Sequence, residues 1–212
     1  MKLPTVYSTV KEYKETEILI QKSRFITYVN RVESEKEAVR FIQNISRRHW
    51  DATHNCYAYQ VMDGQIAQKS SDDGEPAGTA GRPILEVLKN RDLINTVIVV
   101  TRYFGGIKLG AGGLIRAYSQ SASTGLDAAG ILDWVLHRMI RITVNYSAMG
   151  KVEYELRSMN VDMEQPKFSD KVHFTVWVPD GKESTVTEMV AEQTGGRGEV
   201  ILGQKEYRPI PR

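Results

Sequence analysis

The chain has one cysteine, Cys56, in 212 residues, so no intramolecular disulfide can form, and a reducing cytosol suits it. It has no run approaching the eighteen apolar residues of a membrane span, and its start, MKLPTVYSTVKEYKE, has no apolar stretch long enough for a signal peptide. No solenoid-type repeat and no low-complexity segment is present. Excess charge is also missing. The net charge of +2 does not by itself announce a nucleic-acid binder. Residues 1–131 carry 17 Lys and Arg against 14 Asp and Glu, and the rest 11 against 12, so a polyanion would favour the first half weakly. These absences describe a cytoplasmic protein without a membrane partner.

One local absence is more informative. From Leu93 to Leu126 there is no Asp or Glu. The stretch opens with the apolar strand signal LINTVIVV, continues through TRYFGGIKLGAGG, and closes on LIRAYSQSASTGL, a helix start. Its glycines are Gly105, Gly106, Gly110, Gly112 and Gly113, and its flanking charges are Arg102, Lys108 and Arg116. A strand, a glycine-rich turn and a helix N-terminus form a natural anion site, because glycine lets backbone N–H groups approach a ligand and the helix end is partially positive. Phosphate is the anion expected. The spacing is neither a P-loop, since Ala111-Gly112 stand where Lys-Ser/Thr would be, nor the dinucleotide fingerprint, since Ile115 replaces the third glycine. The competing reading is that the glycines only permit tight turns and close packing.

A second cluster, Asp72-Asp73-Gly74-Glu75-Pro76, places three carboxylates in four positions. They repel unless offset by a divalent metal such as magnesium or by the basic loop, or unless they are a solvated turn. No cofactor is otherwise implied. His54 and Cys56 share a strand face. Two ligands fall short of a zinc site, and a catalytic Cys56 competes with a buried one, so no catalytic residue is assigned; His54 is expected as a polar contact in the cleft. His49, His137 and His173 have no companions in sequence and read as ordinary. Tyr103-Phe104 could stack on a base or sit in the core, and Trp50, Trp134 and Trp177 read as packing residues.

The element pattern divides near Gly130–Asp133, into 1–131 and 132–212. In the first part, strands are predicted at 16–21, 23–32, 54–62, 65–68 and 93–100. A capped helix follows Ser34 and a short one starts at Pro83. Asp63-Gly64 reads as a turn, and 69–83 as a polar loop. The second part reads βαββαβ, the ferredoxin-like pattern.

Lys22-Ser23-Arg24-Phe25, His54-Asn55-Cys56-x-Ala58, DDGEPAGTAGRPIL (72–85) and VTRYFGGIKLGAGGLIRAY (100–118) together resemble the Impact family, in its bacterial YigZ/YvyE group. The resemblance implies a mixed α/β (α+β) protein of two domains. The first would be a two-layer domain with a left-handed βαβ crossover, similar to a small-subunit ribosomal protein and to domain IV of elongation factor G. The second would be ferredoxin-like, similar to domain V of that factor. It also implies translational control through RNA or the ribosome, with no established enzyme activity. Only about fifteen residues precede the first predicted strand, so the protein contact made by the extra N-terminal domain of eukaryotic members is not expected here.

The leading expectation is an RNA- or ribosome-binding regulator whose cleft is lined by His54, Arg102, Lys108, Arg116 and the Gly105–Gly113 backbone. Asp72, Asp73 and Glu75 would shape that cleft, and binding should weaken steeply with salt. An enzyme acting on a nucleotide or phosphometabolite is the alternative, with magnesium at the acidic loop. A protein-binding role for the ferredoxin-like half is the third.

Overall fold

A computed structural model describes residues 4–63 and 65–211. It has two compact units, Tyr7–Asp133 and Trp134–Ile210, with Pro4–Val6 assigned to the second. The turn expected at Asp63-Gly64 lies in part outside the described residues.

In the first unit β1 (Val6–Val10) leads to β2 (Lys14–Ile20), β3 (Ser23–Arg31), α1 (Glu35–Arg48), β4 (His54–Asp63), β5 (Gln65–Ser71), α2 (Gly81–Asn90), β6 (Thr96–Tyr103) and α3 (Gly110–Ala129). Five strands form an antiparallel sheet in the order β2-β3-β6-β4-β5. The sequence explains the layering. Phe25 and Val29 of β3, Cys56 and Ala58 of β4, and Ile98 and Val100 of β6 alternate onto one face, where they pack with Ile84 and Leu88 of α2 and Leu114, Tyr118 and Leu126 of α3. The intervening Ile26, Tyr28, Tyr59, Val97 and Val99 face the opposite way and pack with Ala38, Ile42 and Ile45 of α1. Residues 97–100 of β6 are fully buried because both faces are covered. Helices α2 and α3 supply the expected second layer, and α1 adds a third.

The connections fix the handedness. β3 and β4 are parallel to each other and flank β6, and α1 joins them across one face. β5 and β6 are also parallel, and α2 joins them across the other face, in the opposite direction and with strands reversed. Reversing the strands and the direction of travel together preserves the hand of a crossover; changing the face inverts it. The two crossovers are therefore of opposite hand, and one of them is left-handed, against the strong general preference.

The second unit runs β7 (Ile131–Val144), α4 (Tyr146–Ser158), β8 (Asp162–Met163), β9 (Lys167–Phe168), β10 (Val172–Pro179), α5 (Glu183–Thr194) and β11 (Glu199–Pro211), the unit boundary falling inside β7. Its spatial order β11-β7-β10-β8 is that of a βαββαβ ferredoxin-like sheet, with β7 and β10 antiparallel. Ile140, Ile142, Phe174 and Val176 pack against Val152 and Leu156 of α4 and Val186 and Val190 of α5.

Candidate anion site at the start of helix α3

Helix α1 shows how local sequence sets an element end. Ser34 Oγ accepts from Glu37 N–H and the Glu37 carboxylate accepts from Glu33 N–H, a capping arrangement close to that expected. Helix α3 is the opposite case. Leu109 stands at its cap position with no side-chain bond, and its first turn holds no acid. The first N–H groups of a helix have no intrahelical acceptor, so those of Gly110, Ala111 and Gly112 remain available. The helix begins at Gly110, four residues earlier than the apolar pattern suggests.

The five glycines divide by role. Gly105 serves packing: a Cβ there would lie 2.0 Å from the Lys22 carbonyl oxygen, and its N–H donates to Ser23 Oγ. Gly110 enters the helix at φ +69°, a left-handed conformation that glycine adopts without strain. Gly106 is exposed, and Gly113 packs over the Leu109 side chain. By the i→i−4 geometry, the Gly113 N–H is the first that the helix itself satisfies.

The α3 start opens on a cavity of about 430 Å³ lined by Thr53, His54, Glu75, Pro76, Arg102, Phe104, Lys108, Leu109, Gly110, Ala111 and Leu114. His54, Arg102, Lys108 and Gly110 thus come together as expected, and Glu75 joins them. Arg116 is exposed on α3 and does not line the cavity; nor do Gly105, Gly106, Gly112 and Gly113. Lys108 is exposed and makes no ion pair among the described residues, so its charge is available to a ligand.

Arg102 is different. It is 5% exposed, its Nη1 donates to Glu75 Oε1 at 2.7 Å, its Nη2 to Ser23 Oγ, and its guanidinium lies over the rings of Phe25 and Phe104. Its Nε is buried without a partner among the described residues. Glu75 neutralises it, so Arg102 builds the cavity wall instead of offering a free fork to phosphate.

The acidic cluster is divided among protein donors. Asp72 accepts from the N–H groups of Gly78, Ala80 and Gly81, capping α2 from a distance. Burial works against its charge, but these three N–H groups outweigh it and hold the carboxyl below its ordinary range. Asp73 accepts from Asn55 N–H. Glu75 takes Arg102 and the Tyr118 hydroxyl on one oxygen. Among the described residues no group of three or more His, Cys, Asp and Glu is placed to hold a metal ion.

Cys56 is fully buried and donates to the Tyr118 hydroxyl and to the Asp72 carbonyl. Burial pushes the Cys56 thiol and the Tyr118 hydroxyl far above their ordinary values, so Cys56 is no thiolate nucleophile at neutral pH. His54 Nδ1 lies 2.8 Å from the Asp73 carbonyl, with Nε2 facing Glu75 Oε2 at 3.8 Å.

Ser23 and Tyr118, which the sequence pattern does not single out, are buried partners of the Arg102–Glu75 pair. Their signal is that they stand as polar residues inside the apolar patterns of KSRF (22–25) and LIRAY (114–118). His49 is also more than ordinary: it bridges the hydroxyls of Tyr28 and Tyr103. Trp50 is 84% exposed, not packed.

The family model described as "Impact N-terminal domain" matches residues 21–126, which include every residue lining the cavity. The chain belongs to the Impact family. A second model, "Domain of unknown function (DUF1949)", matches 142–197. IMPACT family member YvyE of Bacillus subtilis is 48% identical over 201 residues, covering 95% of this chain and 93% of that protein. IMPACT family member YigZ of Escherichia coli is 41% identical over 109 residues, half of this chain and 53% of the relative. Protein IMPACT-B of Xenopus tropicalis matches over 95 residues, 29% of its own length. A solved chain described as "Crystal structure of an hypothetical protein" superposes with a TM-score of 0.61 at 27% identity, covering 96% of this chain and all of its own.

Proposed function

We propose that this Impact-family protein is an RNA-contacting regulator of translation. A phosphate would sit on the first turn of α3 beside Lys108, with the attached nucleotide entering the adjoining hollow. The observation that carries the reading is the uncapped, acid-free start of α3 opening into the same cavity as the exposed Lys108, which has no ion-pair partner among the described residues. Negative oxygens there complete N–H groups that the protein leaves unmatched. Phe104, 45% exposed at the rim, adds a surface on which a base can stack. The translational role draws on the family resemblance and its likeness to domains IV and V of elongation factor G. Ribosomal RNA would present the same phosphate-and-base chemistry as free RNA.

The test is titration of a fluorescent single-stranded RNA with the wild type and Lys108→Ala at two salt concentrations. Losing one phosphate contact should weaken binding across sequences and lower the salt slope by about 1. Equal affinity and equal slope for both proteins would remove the α3 start from consideration. Unchanged melting of the variant shows that the fold is not the cause.

A further inference from the structure

The hollow has a floor that the phosphate reading does not use. The Glu75 side chain is 3% exposed, and its Oε1 accepts from Arg102 Nη1 and Tyr118 OH, both at 2.7 Å. Its Oε2 accepts no hydrogen bond from the described residues; the polar atom facing it is His54 Nε2 at 3.8 Å. The other ring nitrogen, Nδ1, is 2.8 Å from the carbonyl oxygen of Asp73. A carbonyl only accepts, so Nδ1 carries the hydrogen, and in the neutral imidazole Nε2 is then a bare acceptor. In that neutral form two acceptors face each other with no hydrogen between them, and one belongs to the Glu75 carboxylate. Both atoms belong to residues lining the hollow, where water is their other partner, and a ligand that brings hydrogens of its own can take its place.

We infer that the floor recognises the exocyclic amino group of a nucleobase, so that the site prefers adenine or cytosine over uracil. The inference rests on the phosphate reading above and specifies what the same site reads. One NH₂ carries two hydrogens on diverging bonds, and it can give one to Glu75 Oε2 and the other to His54 Nε2. Uracil presents carbonyl oxygens flanking a single N–H, which would set acceptor against acceptor. The walls suit a base: Pro76, Leu109, Ala111 and Leu114 are apolar, and Phe104 offers its ring at the rim. The α3 start and Lys108, lining the same hollow, would hold the phosphate of the same nucleotide. A hydrogen bond to a charged acceptor, made by one base and replaced by repulsion in another, corresponds to about tenfold or more in affinity.

The experiment compares short A-, C- and U-homopolymer RNAs on the full chain, wild type and His54→Ala, with folding checked by thermal melting. The expected result is A and C tighter than U by about tenfold in the wild type, with the gap closed in His54→Ala. Inosine in place of adenosine puts oxygen where the amino group was, and should lose the advantage on the unaltered protein. A preference that survives both changes would be stacking alone and overturns the inference. Equal binding of all three RNAs, still dependent on Lys108, overturns it while leaving the phosphate reading intact. Binding of none of them overturns both.

Discussion

Arg102 and Glu75 form a buried ion pair whose removal tests the core of the site. Both side chains are almost wholly covered, and their contact of 2.7 Å is backed by Ser23 on one side and Tyr118 on the other. Arg102→Met leaves the carboxylate buried without its cation, and Glu75→Leu leaves the guanidinium so. Each should cost about 3–5 kcal/mol, because an uncompensated charge stays out of water. For a unit of this size that is a melting shift of about 10–20 °C. The double variant removes both charges and leaves mainly the Tyr118 hydroxyl without its acceptor, a cost of about 1–3 kcal/mol. The double change should therefore be milder than either single one. Urea denaturation followed by circular dichroism measures all four proteins, with the transitions of the two units fitted separately. Additive single costs, or an Arg102→Met cost below about 1 kcal/mol, would refute the assignment of Arg102 as a neutralised wall residue.

Three further outcomes follow from the same geometry. Gly105→Ala should destabilise the first unit by about 3 kcal/mol in a thermal or urea melt, since the new methyl meets the Lys22 carbonyl and not a yielding side chain. Burial lowers the His49 pKa, so the folded state holds its proton less readily than the unfolded chain. Stability should be full above about pH 6.5 and fall as pH drops from there toward the folded value, and His49→Gln should flatten that dependence in melts between pH 5 and 8. Cys56 should resist iodoacetamide at pH 8 in the native protein and react on unfolding; ready labelling of the native chain would contradict the burial that raises its pKa.

Periodicity carried most of the fold. β3 and β6 are legible as apolar runs, and α1 as a face of Ala38, Ile42 and Ile45 behind Ser34. The start of α3 is not legible in the sequence because Gly110, Gly112 and Gly113 are poor helix formers, and packing of the following residues overrides that preference. β7 begins five residues before the alternating stretch, where Asp133 and Trp134 interrupt the pattern. Glycine spacing could not separate Gly105, held by a close approach, from Gly110, held by its φ angle. The acidic loop was legible as a place needing compensation, but the compensating groups for Asp72 are backbone N–H groups, which a sequence does not display. His49 looked isolated because Tyr28 and Tyr103 are 21 and 54 positions away.

Pairing Arg102 with Glu75 also revises how the site meets a polyanion. Three basic residues and a helix end would imply several phosphate contacts and a steep salt dependence. Arg102 is neutralised and Arg116 lies outside the cavity, so Lys108 and the α3 start remain. On a single strand each neutralised phosphate contributes a slope of about −0.7 in log affinity against log salt, so the proposed contact predicts about −1, not a steep slope. A shallow slope moves the affinity into the hollow, where base stacking on Phe104 and the Glu75–His54 acceptors do not depend on counterion release. A measured slope near −5 would mean that RNA lies across a wider basic surface and that the cavity is not where it is held.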